Sequence, residues 1–79
     1  MHMSKADKTF EKVLSGKQDA NIDFSDLCHM LQKMGYTMRI KGSHHSFTKE
    51  GASNFFNIQP INGKAKAYQV RQVRNLLSK

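Results

Sequence analysis

The chain has 79 residues, a formal net charge of +7 and 38% hydrophobic residues. This length is near the lower limit for a domain that folds without disulfides or a metal, so we expect one domain with a thin core and no deep enclosed pocket. We expect neither a membrane span nor a secretory signal, because no apolar run approaches roughly 20 residues and no stretch has the three regions of a signal peptide.

The single cysteine, Cys28, has no partner for a disulfide within the chain. An unpaired cysteine is typical of a protein in the reducing cytoplasm. At the start, Met1-His2-Met3 resembles a cloning remnant in front of a native start at Met3. We therefore leave His2 out of the candidate sites.

The positive charge is concentrated in the second half of the sequence. Residues 1–39 carry six Lys/Arg and five Asp/Glu, a net of +1, whereas residues 40–79 carry seven and one, a net of +6. A basic surface attracts polyanions through counterion release and steers their approach. This distribution favours a nucleic-acid ligand, although a solvated cationic face or a surface for an acidic protein has the same composition.

Residues 4–16 predict a first, short helix. Ser4 is a suitable N-cap, and Gly16 ends the helical pattern. The polar residues 17–22 are then expected to form a connection.

A second helix is predicted after Asp23, which can cap it, and it ends at Gly35, where a C′ glycine belongs. Cys28 lies beside the apolar stripe of this helix, so we expect a small buried hydrophobe rather than a nucleophile. His29 points to another side and is interpreted as a surface residue.

The apolar period then changes from 3.6 to 2, which predicts strands. The remaining predicted elements are a strand with Tyr36, Met38 and Ile40 on one face, a turn or bulge at Gly42-Ser43, strands at 44–48 and 54–59, a turn at Asn62-Gly63 and a helix at 67–78. The order helix, helix, three antiparallel strands, helix predicts an α+β two-layer sandwich with the helices on one face of the sheet. The other face of the sheet is expected to be open.

The stretch KGSHHSF, residues 41–47, contains two adjacent histidines. In a regular strand His45 shares a face with Phe47, and His44 lies on the opposite face. If Phe47 is on the helix-covered side, His44 faces solvent, unless a bulge at the preceding turn changes the alternation. An exposed imidazole can be an ordinary surface group, or it can transfer a proton when RNA is cleaved through its own 2′-hydroxyl.

Charged neighbours are compatible with the chemical interpretation of His44 but are a weak signal for it, and a metal site is not expected. Lys41 and Arg39 lie within a few residues and can offset charge that develops on a phosphorane. Adjacent histidines on a regular strand point apart, and one cysteine cannot build a structural zinc site. The acidic residues lie almost entirely in the N-terminal third, so no carboxylate cluster is expected for magnesium.

The chain resembles the HicA toxin family over about residues 22–79. The similar features are a helix ending in KMGY, a strand, the stretch KGSHHSF, a third strand ending in proline and a basic closing helix. The resemblance implies a fold like a double-stranded-RNA-binding domain and the activity of an mRNA interferase, the toxin of a type II toxin–antitoxin module. It also implies inhibition by a HicB-type antitoxin, and we expect no cofactor.

The same resemblance implies roles for individual residues. The functional histidine of the family corresponds to His44, two residues after Gly42, which matches the family's glycine. His45 corresponds to a frequent second histidine and is the second choice for proton transfer. Ser43 and Lys41 are expected to support the site by proximity alone. The residues expected to hold the RNA backbone are Arg39, Lys66, Arg71 and Arg74.

Two features depart from the family. Residues 4–21 precede the matched region, and this extension is expected to pad the helical layer or to contribute to the antitoxin interface. The third strand is unusually aromatic: Phe55 either stacks on a base beside His44 or is covered by the extension or a partner. Tyr36 and Tyr68 are expected at the core margin rather than on RNA.

The leading hypothesis is therefore a metal-independent endoribonuclease in which His44 acts as general acid or base. A second proton-transfer group remains open among His45, a lysine and water. The first rival is a non-catalytic RNA-binding module of the same fold, and the second is a protein-interaction module whose basic half binds an acidic partner.

Overall fold

The computed structural model describes residues 4–51 and 56–77. It is a small α+β fold with three helices and a three-stranded antiparallel sheet. The helices are α1 Lys5–Ser15, α2 Phe24–Lys33 and α3 Ala67–Leu77, with one 3₁₀ turn at Asp19–Asn21. The strands are β1 Thr37–Lys41, β2 His44–Thr48, β3 Phe56–Ile58, β4 Pro60–Ile61 and β5 Lys64–Ala65. None of the helices in the described ranges combines the length and the apolar character that a membrane crossing requires.

The predicted N-caps of the first two helices are confirmed. Ser4 and Asp7 form a capping box, in which the Asp7 N–H donates to Ser4 Oγ at 3.1 Å and the Ser4 N–H donates to Asp7 Oδ2 at 3.3 Å. Gly16 ends α1 in the left-handed conformation, with φ 71°. Asp23 caps α2 by accepting the Ser25 N–H at 3.3 Å.

A Schellman motif closes α2 at the predicted glycine. The Gly35 N–H donates to the Gln32 carbonyl at 3.0 Å, and the Tyr36 N–H donates to the Leu31 carbonyl at 3.1 Å. Gly35 has φ 99°, a region that favours glycine. The motif satisfies the last carbonyls of α2 and directs the chain into β1.

Two tight turns set the strand register. Gly42, with φ 63°, and Ser43 connect β1 to β2 so that Lys41 pairs with His44. This placement of glycine fits a type II′ hairpin turn. The turn predicted at Asn62-Gly63 has φ values of 50° and 78°, as a type I′ turn requires, and it connects the short strands β4 and β5.

The β4–β5 hairpin was not predicted, because two-residue strands leave no periodic pattern in the sequence. Its backbone is bonded to the start of α2. The Ala65 N–H donates to the Ile22 carbonyl at 2.9 Å, and the Phe24 N–H donates to the Gly63 carbonyl at 3.0 Å. These bonds fix the point from which α3 starts.

The sheet, in the order β1-β2-β3, buries Phe47, Phe56 and Ile58 on the side that the helices cover. This confirms the faces predicted for these strands; Asn54 and Phe55 of the predicted third strand lie outside the described residues. The burial predicted for Ile40 is wrong, since its side chain is 59% exposed. It lies on the edge strand β1, opposite His45.

The N-terminal helix packs into the same core as the sheet. Val13 is 0% exposed and belongs to one buried cluster with residues of α2, α3, β2 and β3. Arg74 of α3 joins this region through its guanidinium, which donates to Asp19 Oδ1 at 2.7 Å, to Asp19 Oδ2 at 3.1 Å and to the Val13 carbonyl at 3.1 Å. Residues 5–15 are therefore part of the helical layer.

If α1 belongs to the core, Val13→Ala lowers the free energy of unfolding by about 2 kcal/mol, because two buried methyl groups are lost and a cavity remains. Urea denaturation followed by circular dichroism measures the change. The exposed Glu11→Ala on the same helix is the control and should shift stability by no more than about 0.5 kcal/mol. Equal, small effects of both variants would show that α1 is not packed as described.

Candidate functional site

His44 lies on the open face of the sheet, as strand alternation predicted. Its side chain is exposed, and its neighbour across the β1–β2 pair is Lys41. On the β3 side, the register continues one step beyond the His45–Ile58 pair, which places Gln59 opposite His44. A cation on β1 and an amide at the end of β3 therefore flank the imidazole on its two sides.

The His44 ring is held by amide side chains. The Gln59 Nε2 atom lies 2.9 Å from His44 Nδ1 and 3.1 Å from His44 Nε2, and Asn57 Oδ1 lies 3.4 Å from His44 Nδ1. The Lys66 ammonium donates to Gln59 Oε1 at 3.3 Å. Because an ammonium can only donate, this contact turns the Gln59 N–H groups toward the imidazole. The amide oxygen of Asn57 can only accept, so in the tautomer that satisfies both amides Nδ1 donates to Asn57 and the unprotonated Nε2 accepts from Gln59. We call Lys41, His44, Gln59 and Lys66 the His44 row.

Gln69 supports this row from α3. Its Oε1 accepts the Gln59 backbone N–H at 3.0 Å, and its Nε2 donates to the Asn57 carbonyl at 3.5 Å. These are the bonds that a neighbouring strand would make with β3. The Gln69 side chain, only 5% exposed, thus ties α3 to β3 and positions both amides that contact His44.

Arg39 and Ser43 lie close to the row without a hydrogen bond to it. Arg39 is exposed on β1 and pairs with Ser46, so it is on the same open face as His44. Ser43 is exposed in the β1–β2 turn. At Gly42 an added Cβ would meet nothing within 4 Å, so this position requires glycine for its positive φ and not for space.

His45 is not brought together with His44. Its ring packs edge-on against Phe24 at 4.7 Å between centroids, on the helix-covered side. Its Nδ1 lies 3.1 Å from the Ser43 carbonyl, which accepts the ring N–H. With Cys28 and Met38, His45 lines a groove of about 280 Å³. The two imidazoles therefore face opposite sides of the sheet.

The two arginines of α3 differ in their surroundings. The hydrogen bond with Asp19 raises the pKa of Arg74, and its guanidinium contacts both α1 and the 3₁₀ turn. The role predicted for Arg74 in holding the RNA backbone stays a prediction. Because the contacts with Asp19 and Val13 join α3 to the 3₁₀ turn and α1, we leave Arg74 out of the candidate site. Arg71 is exposed.

Burial of the Cys28 side chain raises the pKa of its thiol to about 11. The thiol therefore stays protonated at neutral pH, which agrees with the predicted small buried hydrophobe. Within residues 4–51 and 56–77, no group of three or more His, Cys, Asp or Glu side chains is arranged to hold a metal ion.

The aromatic predictions have different outcomes. Tyr36 packs against Phe56 at 5.1 Å between ring centroids, at the core margin as expected. Tyr68 was also expected there, but its side chain is 56% exposed. Phe55 lies outside the described residues.

Sequence reasoning missed Asn57, Gln59 and Gln69. The first two could have been found by pairing the second and third predicted strands, since the register alone places Gln59 opposite His44. Gln69 leaves no comparable signal, because the packing angle of α3 determines what its side chain reaches.

The chain matches no family model, no curated protein and no solved structure. The resemblance to the HicA family therefore stays a prediction. The geometry of the His44 row is the observation from which a function can be inferred.

Gln69→Ala is expected to lower the free energy of unfolding by about 1–3 kcal/mol, because the backbone groups of Asn57 and Gln59 lose their partner. The exposed Gln72→Ala on the same helix is the control, with a change of at most about 0.5 kcal/mol. Urea denaturation gives both values. Equal stability of the two variants would contradict the edge-pairing role of Gln69.

Proposed function

We propose that this protein is a metal-independent endoribonuclease in which His44 acts as the general base. The single observation that carries the proposal is a solvent-exposed imidazole held by Gln59 and Asn57, with a lysine at each end of the row. In this proposal the protein is an mRNA interferase of the HicA kind. Its helix-backed, three-stranded sheet supports a fold like a double-stranded-RNA-binding domain.

Charge at the start of α3 supports an anionic ligand. Lys64 and Lys66 directly precede this helix, which begins at Ala67 and has no acidic residue in its first turn. The helix macrodipole makes an N-terminus unfavourable for cations and favourable for anions, by about 0.3–1 kcal/mol for each charge. A phosphate bound there would interact favourably with both the lysines and the helix.

The chemistry follows from the hydrogen bonds of the row. RNA displaces the Gln59 amide from the ring, and the freed imidazole nitrogen takes the proton of the 2′-hydroxyl. The 2′-oxygen bonds to phosphorus as the bond to the 5′-oxygen breaks, and the products are a 2′,3′-cyclic phosphate and a 5′-hydroxyl. The charge that develops on the phosphorane is offset by Lys41 and Lys66.

The leaving 5′-oxygen needs a proton from a group on the same side of the sheet. His45 faces the opposite side against Phe24, so we no longer consider it for this step. The remaining donors are the ammonium of Lys66 or Lys41 and water. Exposed Arg39 and Arg71 are proposed to hold the flanking RNA backbone.

Inhibition by a HicB-type antitoxin completes the proposal. The net charge of +7 and the cations of the His44 row suit a partner with an acidic surface. Such a partner would block access of RNA to the imidazole by covering the open face of the sheet.

His44→Ala is expected to abolish cleavage of a labelled single-stranded RNA by the purified protein in EDTA, a loss of roughly 10²-fold or more. His29→Ala, which removes an exposed imidazole from α2, should cleave like the parent. Gel electrophoresis measures the rate, and phosphatase sensitivity identifies the ends. Circular dichroism checks that every variant is folded.

The other outcomes of this experiment are equally informative. Cleavage by His44→Ala would overturn the site, and a product with a 3′-hydroxyl would overturn the mechanism. Salt-dependent binding without cleavage, for the parent and His44→Ala alike, would identify a non-catalytic RNA-binding module instead.

Lys66→Gln is expected to reduce the slope of log K against log salt for RNA binding by about 1, since one phosphate contact is lost. The free energy of unfolding should change by no more than about 0.5 kcal/mol, because the gain from removing a cation at a helix N-terminus offsets the loss of the part-buried hydrogen bond to Gln59. Lys8→Gln, at an exposed position of α1, is the control for net charge. An identical slope for both variants would remove Lys66 from the RNA site.

A further inference from the structure

Tyr68 is an exposed aromatic residue in the first turn of α3. Its side chain is 56% exposed, whereas the chain's other tyrosine, Tyr36, packs against Phe56. A single exposed apolar residue is common on protein surfaces and needs no explanation by itself. Its position beside the His44 row, however, indicates a function for the exposed ring.

The ring lies at the β3 end of the row. The Tyr68 hydroxyl is 3.5 Å from Gln69 Nε2, and the same Gln69 side chain is bonded to the backbone of Asn57 and Gln59. Gln59 is the residue that contacts the His44 imidazole. One shared amide therefore connects the phenol to the edge strand beside the proposed catalytic group.

Cations lie on both sides of this ring along the chain. Lys66 precedes it by two residues and contacts Gln59. Arg71, which is exposed, follows Tyr68 by three residues, a spacing that makes the two side chains neighbours on one face of α3. A cation, an aromatic face and a second cation match the order phosphate, base, phosphate of a single-stranded nucleic acid.

We propose that Tyr68 is a stacking platform for the base next to the phosphate held by Lys66 in the His44 row. The ligand is single-stranded RNA that crosses the sheet from β1 toward α3, perpendicular to the strands. Any base can stack on the ring, so the subsite adds affinity without reading sequence. This inference rests on the proposed function, since it places the substrate of the same site.

The test uses His44→Ala as the parent, so that RNA stays intact, and an oligoribonucleotide of about ten nucleotides, within the site sizes of single-strand binders. Fluorescence anisotropy measures the dissociation constant. Adding Tyr68→Ala should weaken binding roughly 5- to 150-fold, the loss of one stacked base. Tyr68→Phe keeps the ring and should bind within about twofold of the parent. Gln72→Ala, on the same helix, should not change binding.

A second arm identifies stacking directly. The oligonucleotide carries an abasic site at each position in turn, and binding is measured with Tyr68 and with Tyr68→Ala. At the stacked position the penalty of Tyr68→Ala should disappear, because there is no base left to contact. A penalty of the same size for every oligonucleotide, or tight binding by Tyr68→Leu, would overturn the inference.

The outcomes separate this inference from the proposed function. Tight RNA binding that is unaffected by Tyr68→Ala overturns the stacking subsite and leaves the His44 site in place. The absence of RNA binding by the parent overturns both. If Tyr68→Ala weakens the binding of an acidic protein but not that of RNA, the ring belongs to a protein interface and the inference fails.

Discussion

The pairing of the Gln69 side chain with the edge of β3 is the interaction on which the candidate site depends. A strand edge presents backbone donors and acceptors that need partners, and here a helix supplies them through one amide. That contact fixes α3 against the sheet and brings Lys66 within 3.3 Å of Gln59. The contact of Lys66 with Gln59 orients the Gln59 amide that faces His44. The position of α3 therefore determines the hydrogen bonds of the His44 imidazole on β2.

Several positive charges are placed where they destabilise the isolated chain. The cations at the start of α3 oppose its macrodipole, and the open sheet face adds Arg39 and Lys41 without carboxylates on the paired positions of β2. The ion pair between Arg74 and Asp19, in contrast, is stabilising, because it joins α3 to the 3₁₀ turn. Unfavourable charge that is concentrated on one surface is expected where an anionic ligand compensates it, and a phosphate backbone is such a ligand.

The parts of the fold that could be predicted are those set by local interactions. Caps, tight turns and the alternation of His44 and His45 depend on residues a few positions apart, so the sequence contains the whole signal. Contacts that depend on helix position could not be predicted. Arg74 looked like a free basic residue, and Tyr68 looked like a margin residue, because one-dimensional spacing does not show which side of α3 meets α1 and which meets solvent.

Separation of the adjacent histidines gives each a different physical role. The His45 ring stabilises the β1–β2 turn through the Ser43 carbonyl and packs against Phe24, so its solvent-facing chemistry is limited by structural contacts. Among the described residues, the His44 ring is hydrogen-bonded to the amide side chains of Asn57 and Gln59, which the proposed RNA substrate would displace. Both rings could contact one phosphate only if β2 had a bulge at this point. The pairs Lys41–His44 and His45–Ile58 are regular, so β2 has no bulge there. In the proposed RNA cleavage, the second proton would then come from the lysines of the row or from water, and the cations at its ends would contribute to the rate as well as to affinity.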